Sequence, residues 1–345
     1  MKKSISLWTR YTELGASSRL RFCQFIPYLQ KYGYKTDLHP FFDEIYLKKL
    51  YSGQGKSTAA LCKSLLTRIR ELKKIPADAP MFIEYELLPY LPFCVEKKFL
   101  EKRKYILNFD DSVDLRYQHI PFLKNKYPAL IKNAAGIVTA NSHLTERFSV
   151  YNDNIIQIPT VPPPMPEMPE VEKFEKLTLC WIGTPVTYEY LKQHTEILQK
   201  MYNAVPFELL VIASAALPPV EGIPTRRVDW SSETEAELLK RSHIGIMPLP
   251  DTPFARGKSS FKLIQYLSAN IPAIASPVGE NKIVLRHKET GFSASSADEW
   301  VYALQELATA EKRDRFREAI IAEAEKYSLT NAASVLSDFF DRTLF

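Results

Sequence analysis

The stretch GIMPLPDTPFARGKSSFKLIQYLSANIPAIASPVGEN, residues 245–281, decides how this chain is read. An apolar run, a loop with proline and charge, a helical pattern and a second apolar run follow one another, which predicts strand, loop, helix, strand and turn. The loop delivers Arg256 and Lys258 to the helix start at Ser259 and Ser260. Helix starts carry unpaired N–H groups and the positive end of the dipole, so the arrangement suits a diphosphate. A plain strand–helix–strand unit with a charged loop would show the same Arg-x-Lys, so the remainder of the chain has to decide.

Working outward, the alternation of strand and helix patterns runs through the whole chain, the mark of helices packed on parallel sheets. Strands are predicted at 3–8, 34–38, 81–84, 104–109, 136–140 and 155–158, with helices at 17–32, 57–74, 90–103, 121–133 and 142–149. The proline-rich run IPTVPPPMPEMPEVEKFEKL then reads as a stiff extended linker over 161–176, because proline fixes φ and removes donors. After it, strands are expected at 177–182, 207–212, 226–229, 244–248 and 272–276, and helices at 187–203, 233–242, 259–269, 297–309, 311–326 and 330–343. The fold class is therefore α/β: two Rossmann-like, doubly wound domains, 1–160 and 177–329, expected to face a central cleft. Ligands of such sheets sit beyond the carboxyl ends of the strands.

Composition sets bounds on function. The 345 residues are 46% hydrophobic and 25% charged, an ordinary globular balance. No apolar run approaches the ~20 residues of a membrane-spanning helix, and Ile5–Trp8 is too short for a signal-peptide core, so a cytoplasmic protein is expected. Cys23, Cys62, Cys94 and Cys180 form no close pair and are expected as buried thiols in a reducing compartment. Net charge is +5, but residues 1–110 hold 20 Lys+Arg against 11 Asp+Glu. The first third is thus basic, most densely in EKKFLEKRK at 96–104 and in the 57–74 helix, where Lys63, Arg68, Arg70, Lys73 and Lys74 surround a stripe of Leu61, Leu65, Ile69 and Leu72. A core-facing helix with a solvated basic face and an interfacial helix on an anionic membrane both fit, the latter possible on the inner membrane face. Nucleic acid is not indicated, since no recognition motif accompanies the charge.

Several patterns fail. SGQGKST at 52–58 lacks the glycine a phosphate-binding loop needs at position 50 and the small residue a dinucleotide fingerprint needs at 58; no strand precedes it. The six histidines form no metal motif, so neither metal nor cofactor is expected. Three loops at strand ends remain. In ELGASSRLR, Gly15 and the small residues Ala16, Ser17 and Ser18 would let a ligand approach a helix start; in IGTP, Gly183 and Thr184 would line a phosphate pocket; the third is the opening stretch. NFDDSVD puts Asp110 and Asp111 at a strand end, where paired carboxylates could order a hydroxyl or act as a general base. Glu84 and Glu86 follow another strand, and Trp230 could stack near a nucleotide base.

Together WIGTPVTYEYL (181–191), residues 243–281, GFSASSADEWVYAL (291–304), YELLPYLPFCVE and ILNFDDS resemble the glycosyltransferase family 4 branch of GT-B enzymes, over nearly the whole chain. The resemblance implies a nucleotide-sugar donor held mainly by the second domain, a glycan or lipid-linked acceptor, and retaining, metal-independent transfer in polysaccharide synthesis. It implies that the 330–343 helix crosses back to the first domain. It places Arg256, Lys258, Ser259, Ser260 and Lys262 at the donor diphosphate, Gln265 at a ribose hydroxyl, and Ser17, Arg19 and Glu86 on the acceptor side. Two departures stand out: the family's E-x7-E pair is Gly257 and Gln265 here, and no Arg/Lys pair follows IGTP. A non-catalytic nucleotide- or glycan-binding relative, or a GT-B epimerase or phosphorylase, is left as an alternative.

Overall fold

The segments KSISLWT, MFIE, YILNF and GIVT bury nearly every side chain, which requires cover on both faces of their sheet and hence parallel strands with helical crossovers. The computed structural model bears this out for residues 3–51, 57–166, 171–214 and 217–345, the residues it describes. Most of the SGQGKST run (52–56) and part of the proline-rich segment (167–170) lie outside the described residues. The residues before that run form the helix Glu44–Tyr51, not the strand that a phosphate loop would need.

The chain divides into two compact units. The first comprises the residues up to Pro163, the tripeptide Gly257–Ser259 and Leu329–Phe345. Its strands are β1 (Lys3–Thr9), β2 (Tyr34–Pro40), β3 (Met81–Glu84), β4 (Tyr105–Phe109), β5 (Gly136–Thr139) and β6 (Ile155–Gln157). They pair in parallel in the order β2-β1-β3-β4-β5-β6. The helix Leu329–Leu344 is tied to this sheet by Tyr34, whose hydroxyl donates to Ser337 O at 3.0 Å, and by the 2.5 Å pair of Lys3 with Asp341.

The second unit holds Pro164–Arg256 and Ser260–Ser328. Its strands are β7 (Thr178–Gly183), β8 (Glu208–Ala213), β9 (Thr225–Asp229), β10 (Ile244–Met247), β11 (Ala273–Ala275) and β12 (Gly291–Ser293). The order β12-β11-β10-β7-β8-β9, all parallel, is the doubly wound arrangement of a dinucleotide-binding sheet. Both sheets are Rossmann-like, as the alternation predicts. The winding direction reverses between β1 and β3 in the first unit and between β7 and β10 in the second. Ligand crevices of such sheets open at these reversals.

Local departures have identifiable causes. The helix expected over 17–32 breaks at Phe22 (φ −133°, ψ −63°) into Ala16–Arg21, a 3₁₀ turn and Ile26–Lys31, the last with Pro27 in its first turn. The helix expected over 187–203 stops at Lys192 and restarts at Thr195. Cys180 is buried, but Cys62 and Cys94 are exposed, correcting the expectation of buried thiols; both lie on helices with a solvent face. Arg68, counted on the basic face, is buried, its guanidinium 4.7 Å from the Trp8 ring centre. Among the described residues no helix is long and apolar enough to cross a membrane.

Candidate functional site

At the β1/β3 reversal of the first unit, Glu84 ends β3 as a buried carboxylate. It accepts the Arg10 N–H at 2.7 Å, the Ser17 hydroxyl at 2.7 Å and the Ser18 hydroxyl at 2.6 Å. Burial pushes this carboxyl up; the hydrogen bonds pull it back. Glu84 thereby fixes the loop in which Gly15 caps the helix Ala16–Arg21. Ser17, expected on the acceptor side, gives its hydroxyl to Glu84, and Arg19 donates to Glu13 O at 3.2 Å. Glu86 points into a buried ion cluster: Lys126 Nζ lies 2.6 Å away, and the Tyr117 and Tyr127 hydroxyls donate at 3.0 and 3.1 Å. That cluster takes up the carboxylate which the sequence offered to an acceptor.

Asp110 and Asp111 follow β4 directly and are both half-buried. Asp110 accepts a hydrogen bond from the Tyr85 hydroxyl. Burial and the neighbouring Asp111 push its carboxyl up to about 7, against the lowering by Tyr85 and Arg21. Tyr85 reaches Asp110 from a left-handed backbone (φ 64°), an uncommon and costly conformation for a bulky residue and one that clusters at functional sites. Arg21, also buried, donates to Asn108 at 2.8 and 3.2 Å and to Ile158 O at 2.6 Å, which fixes a positive charge behind the pair.

The tripeptide Gly257–Ser259 packs on the same strand end. Asn141 Nδ2 donates to Gly257 O at 2.8 Å, while Asn141 Oδ1 caps the helix Ser142–Ser149 through Leu144 N–H at 2.8 Å. A Cβ at position 257 would lie 1.9 Å from Ser112 Oγ, so any side chain there forces Ser112 or the tripeptide to shift. Lys258 Nζ then stands 3.9 Å from Asp111 Oδ1, with its side chain 13% exposed. Lys258, Asp111 and Asp110 are thus brought together.

In the second unit, the β7/β10 reversal carries IGTP. Gly183 ends β7, and Thr184 N-caps the exposed start of the helix Pro185–Lys192, its N–H donating to Thr187 Oγ1 at 3.1 Å. Lys262 Nζ lies 5.5 Å from the ring centre of Trp181, the ring that also walls Gly183. Gly183 and Lys262 therefore share one location. After β10 a single turn, Pro253–Arg256, precedes the helix Phe261–Ser268, with Ser260 as a left-handed cap (φ 52°) whose hydroxyl donates to Asn281 Oδ1 at 2.6 Å. That hydroxyl is committed to holding the turn, whereas Ser259 is half-buried beside it. Arg256 is exposed and forked onto Asp251 at 2.6 and 3.0 Å.

One carboxylate unites two further expected residues. Glu235, opening the helix Glu235–Arg241, accepts from Trp230 Nε1 and, at 2.6 Å, from Gln265 Nε2. Sequence reasoning did not single out Glu235, Tyr85 or Asn141. The acid of ETEAELL looks like any first-turn helix acid, and nothing local marks the other two. Among the described residues no group of His, Cys, Asp and Glu could hold a metal ion.

No protein-family model matches the chain, and no curated protein sequence matches it. Solved structures do. A sucrose-phosphate synthase from Thermosynechococcus elongatus superposes with a TM-score of 0.67 at 12% identity, covering 99% of this chain and 98% of that one. A glycosyltransferase from Rickettsia africae gives 0.64 at 14% identity, with 99% of both chains covered. A trehalose-6-phosphate enzyme structure from E. coli, bound with UDP-2-fluoro glucose, gives 0.64 at 10% identity, covering 97% of this chain and 98% of that one. At these identities the likeness establishes the fold: two Rossmann-like domains of the GT-B type.

Proposed function

We propose that this chain is a retaining glycosyltransferase that moves a sugar from a nucleotide-diphosphate sugar to a glycan or lipid-linked acceptor in surface-polysaccharide synthesis. The observation that carries the reading is Lys258, a sheltered ammonium held beside Asp111 by a glycine backbone that Asn141 pins. Breaking a glycosyl–phosphate bond builds negative charge on the leaving diphosphate, and preorganised cations and N–H groups stabilise it. Each charge-assisted hydrogen bond contributes on the order of 1.5–3 kcal/mol, so two or three account for several powers of ten in rate. Lys258, Arg256 and Lys262 would carry that charge in place of a metal ion, with Ser259 and Ser260 offering main-chain N–H groups. Arg256 would leave Asp251 for the diphosphate.

In this reading the second unit holds the donor. Gly183 and Thr184 border the phosphates, Trp230 sits by the base, and the Glu235 carboxylate, steadied by Gln265, accepts the ribose hydroxyls. The first unit holds the acceptor. Asp110, whose carboxyl is raised to about 7, changes its proton near neutral pH and is suited to exchanging one with the acceptor hydroxyl. The helix Thr58–Lys74 exposes Lys63, Arg70, Lys73 and Lys74 beside Leu66, which supports peripheral contact with an anionic membrane.

Lys258→Ala is expected to abolish nucleotide release from a sugar donor while leaving the melting temperature unchanged; undiminished turnover would remove the lysine from the mechanism. A thermal-shift panel of UDP-, GDP- and ADP-sugars tests the wider reading. A ligand at a hundred times its Kd stabilises by about 2.7 kcal/mol, and no shift with any nucleotide sugar would sink the assignment.

A further inference from the structure

A cavity of about 590 Å³ opens in the first unit beyond the carboxyl ends of β1 and β2. Its walls come from the helices Glu44–Tyr51, through Tyr46 and Lys49, and Thr58–Lys74, through Lys63 and Ser64. None of these side chains has a part in the donor and acceptor groups named above, and only Lys63 is shared with the basic face of the helix Thr58–Lys74. On the loop after β1, Thr12 contributes a buried Oγ1 with no hydrogen-bond partner among the described residues. A buried hydroxyl left so is costly, and an oxygen of a bound ligand would satisfy it.

The charge of the cavity is positive. The 17-residue helix Thr58–Lys74 opens on it at its start, where Ser57 Oγ caps the Ala60 N–H at 3.2 Å, and no acid occupies the first turn. The positive end of that dipole therefore adds to Lys49 and Lys63. One carboxylate, Asp43, faces them: it caps Tyr46 N–H at 2.9 Å and lies 3.7 Å from Lys63 Nζ, an exposed pairing that a bound anion can displace. Tyr46, stacked on Phe42 with ring centres 3.9 Å apart, supplies an aromatic wall. Cations, hydroxyls, a carboxylate and an aromatic side in one cavity together match a phosphorylated sugar or polyol.

We infer that this cavity binds a phosphate-bearing acceptor, with the phosphate on Lys49, Lys63 and the helix start and the ligand's hydroxyls on Thr12, Ser64 and Asp43. Its role as acceptor rests on the transferase reading; the anion site itself does not. A free sugar phosphate and the phosphate of a lipid head group present the same chemistry, and the experiment separates them.

Full-length wild type, the double variant Lys49→Glu/Lys63→Glu and the cavity-filling variant Ser64→Trp are titrated with glucose 6-phosphate and glucose, and sedimented with phosphatidylcholine vesicles with and without phosphatidic acid. UDP-glucose binding is measured on the same preparations. Wild type is expected to bind glucose 6-phosphate or phosphatidic-acid vesicles, and both variants to weaken that binding by about tenfold or more with UDP-glucose binding unchanged. Loss in Ser64→Trp of the sugar phosphate assigns a free acceptor; loss of vesicle binding alone assigns a lipid one, because that variant keeps every surface lysine. Binding of neither phosphate probe, equal binding of glucose and glucose 6-phosphate, or full binding by Ser64→Trp overturns the inference. Lysine-dependent phosphate binding without binding of any UDP-, GDP- or ADP-sugar leaves the cavity standing and removes the nucleotide-sugar reading instead.

Discussion

Asp110→Asn is expected to stabilise the first unit, and to do so more as the pH rises. The Asp110 carboxyl, ordinarily at 3.8, is pushed to about 7 by burial and by Asp111. The folded state therefore holds the proton more tightly than the unfolded chain. Its contribution to stability is fully present below about pH 3.8 and is lost as the pH climbs through about 7. At 1.36 kcal/mol per pH unit, the ceiling of that loss is roughly 4 kcal/mol. The residue as a whole is half-buried, and partial contact with solvent screens the penalty, so about half of the ceiling is the working magnitude. Asparagine keeps the shape and an oxygen for the Tyr85 hydroxyl but never ionises. Between about pH 5 and about pH 8 the gain from the variant should widen by roughly 1–2 kcal/mol, or about 3–6 °C in a unit of this size. Differential scanning calorimetry of both proteins at the two pH values reads it directly. A gain that stays constant with pH, or a variant less stable at both, would show that Asp110 is ionised in the folded state at neutral pH and refute the reasoning.

Gly257→Ala should leave the fold intact but lower turnover by about a hundredfold, since a Cβ 1.9 Å from Ser112 Oγ must push Lys258 out of place; adding Ser112→Gly should recover part of the loss, and a single variant as active as wild type would contradict the packing. Tyr85→Phe removes the hydrogen bond that lowers the Asp110 carboxyl, so the acidic limb of the kcat profile should move to higher pH; an unmoved limb would take Asp110 out of the proton exchange.

The central strands were legible because each buries a short apolar run, and the outer ones β2, β6 and β9 because they alternate with helical patterns between turn signals. All six of the first unit and five of the second were expected on those grounds. The exception, β12, is three residues long, and GFS carries no period to read. The breaks in the helices were less legible: Phe22 and the Gln193–His194 junction carry no glycine, and tertiary packing sets them. For the site, the loops after strands could be named because glycine and small residues mark them. Their partners could not. Tyr85 acts through a positive φ that tyrosine does not advertise, Asn141 looks like an ordinary cap, and Asn281 is joined to Ser260 only by the fold. Arg68 was misplaced on the solvent face because periodicity cannot show that Trp8 and Phe41 would shelter it.

The two missing acids of the E-x7-E pattern have a common physical account. At the first position the backbone lies so close to Ser112 that any side chain would displace one or the other, and Asn141 holds the Gly257 carbonyl there. The cation that follows has its counter-charge in Asp111, which supplies it from the end of β4 at 3.9 Å. At the second position the carboxamide of Gln265 cannot carry charge, but it donates at 2.6 Å to Glu235, whose other oxygen is held by Trp230. In each case a carboxylate absent from the linear pattern arrives from another element at contact distance. An amide in place of an acid at 265 then costs little electrostatically, because the Glu235 charge it steadies stands beside it and keeps both oxygens as acceptors. Gly257 is the stricter of the two positions. There the close approach of the backbone, not a change of chemistry, is what excludes glutamate, and Lys258 reaches Asp111 because of it.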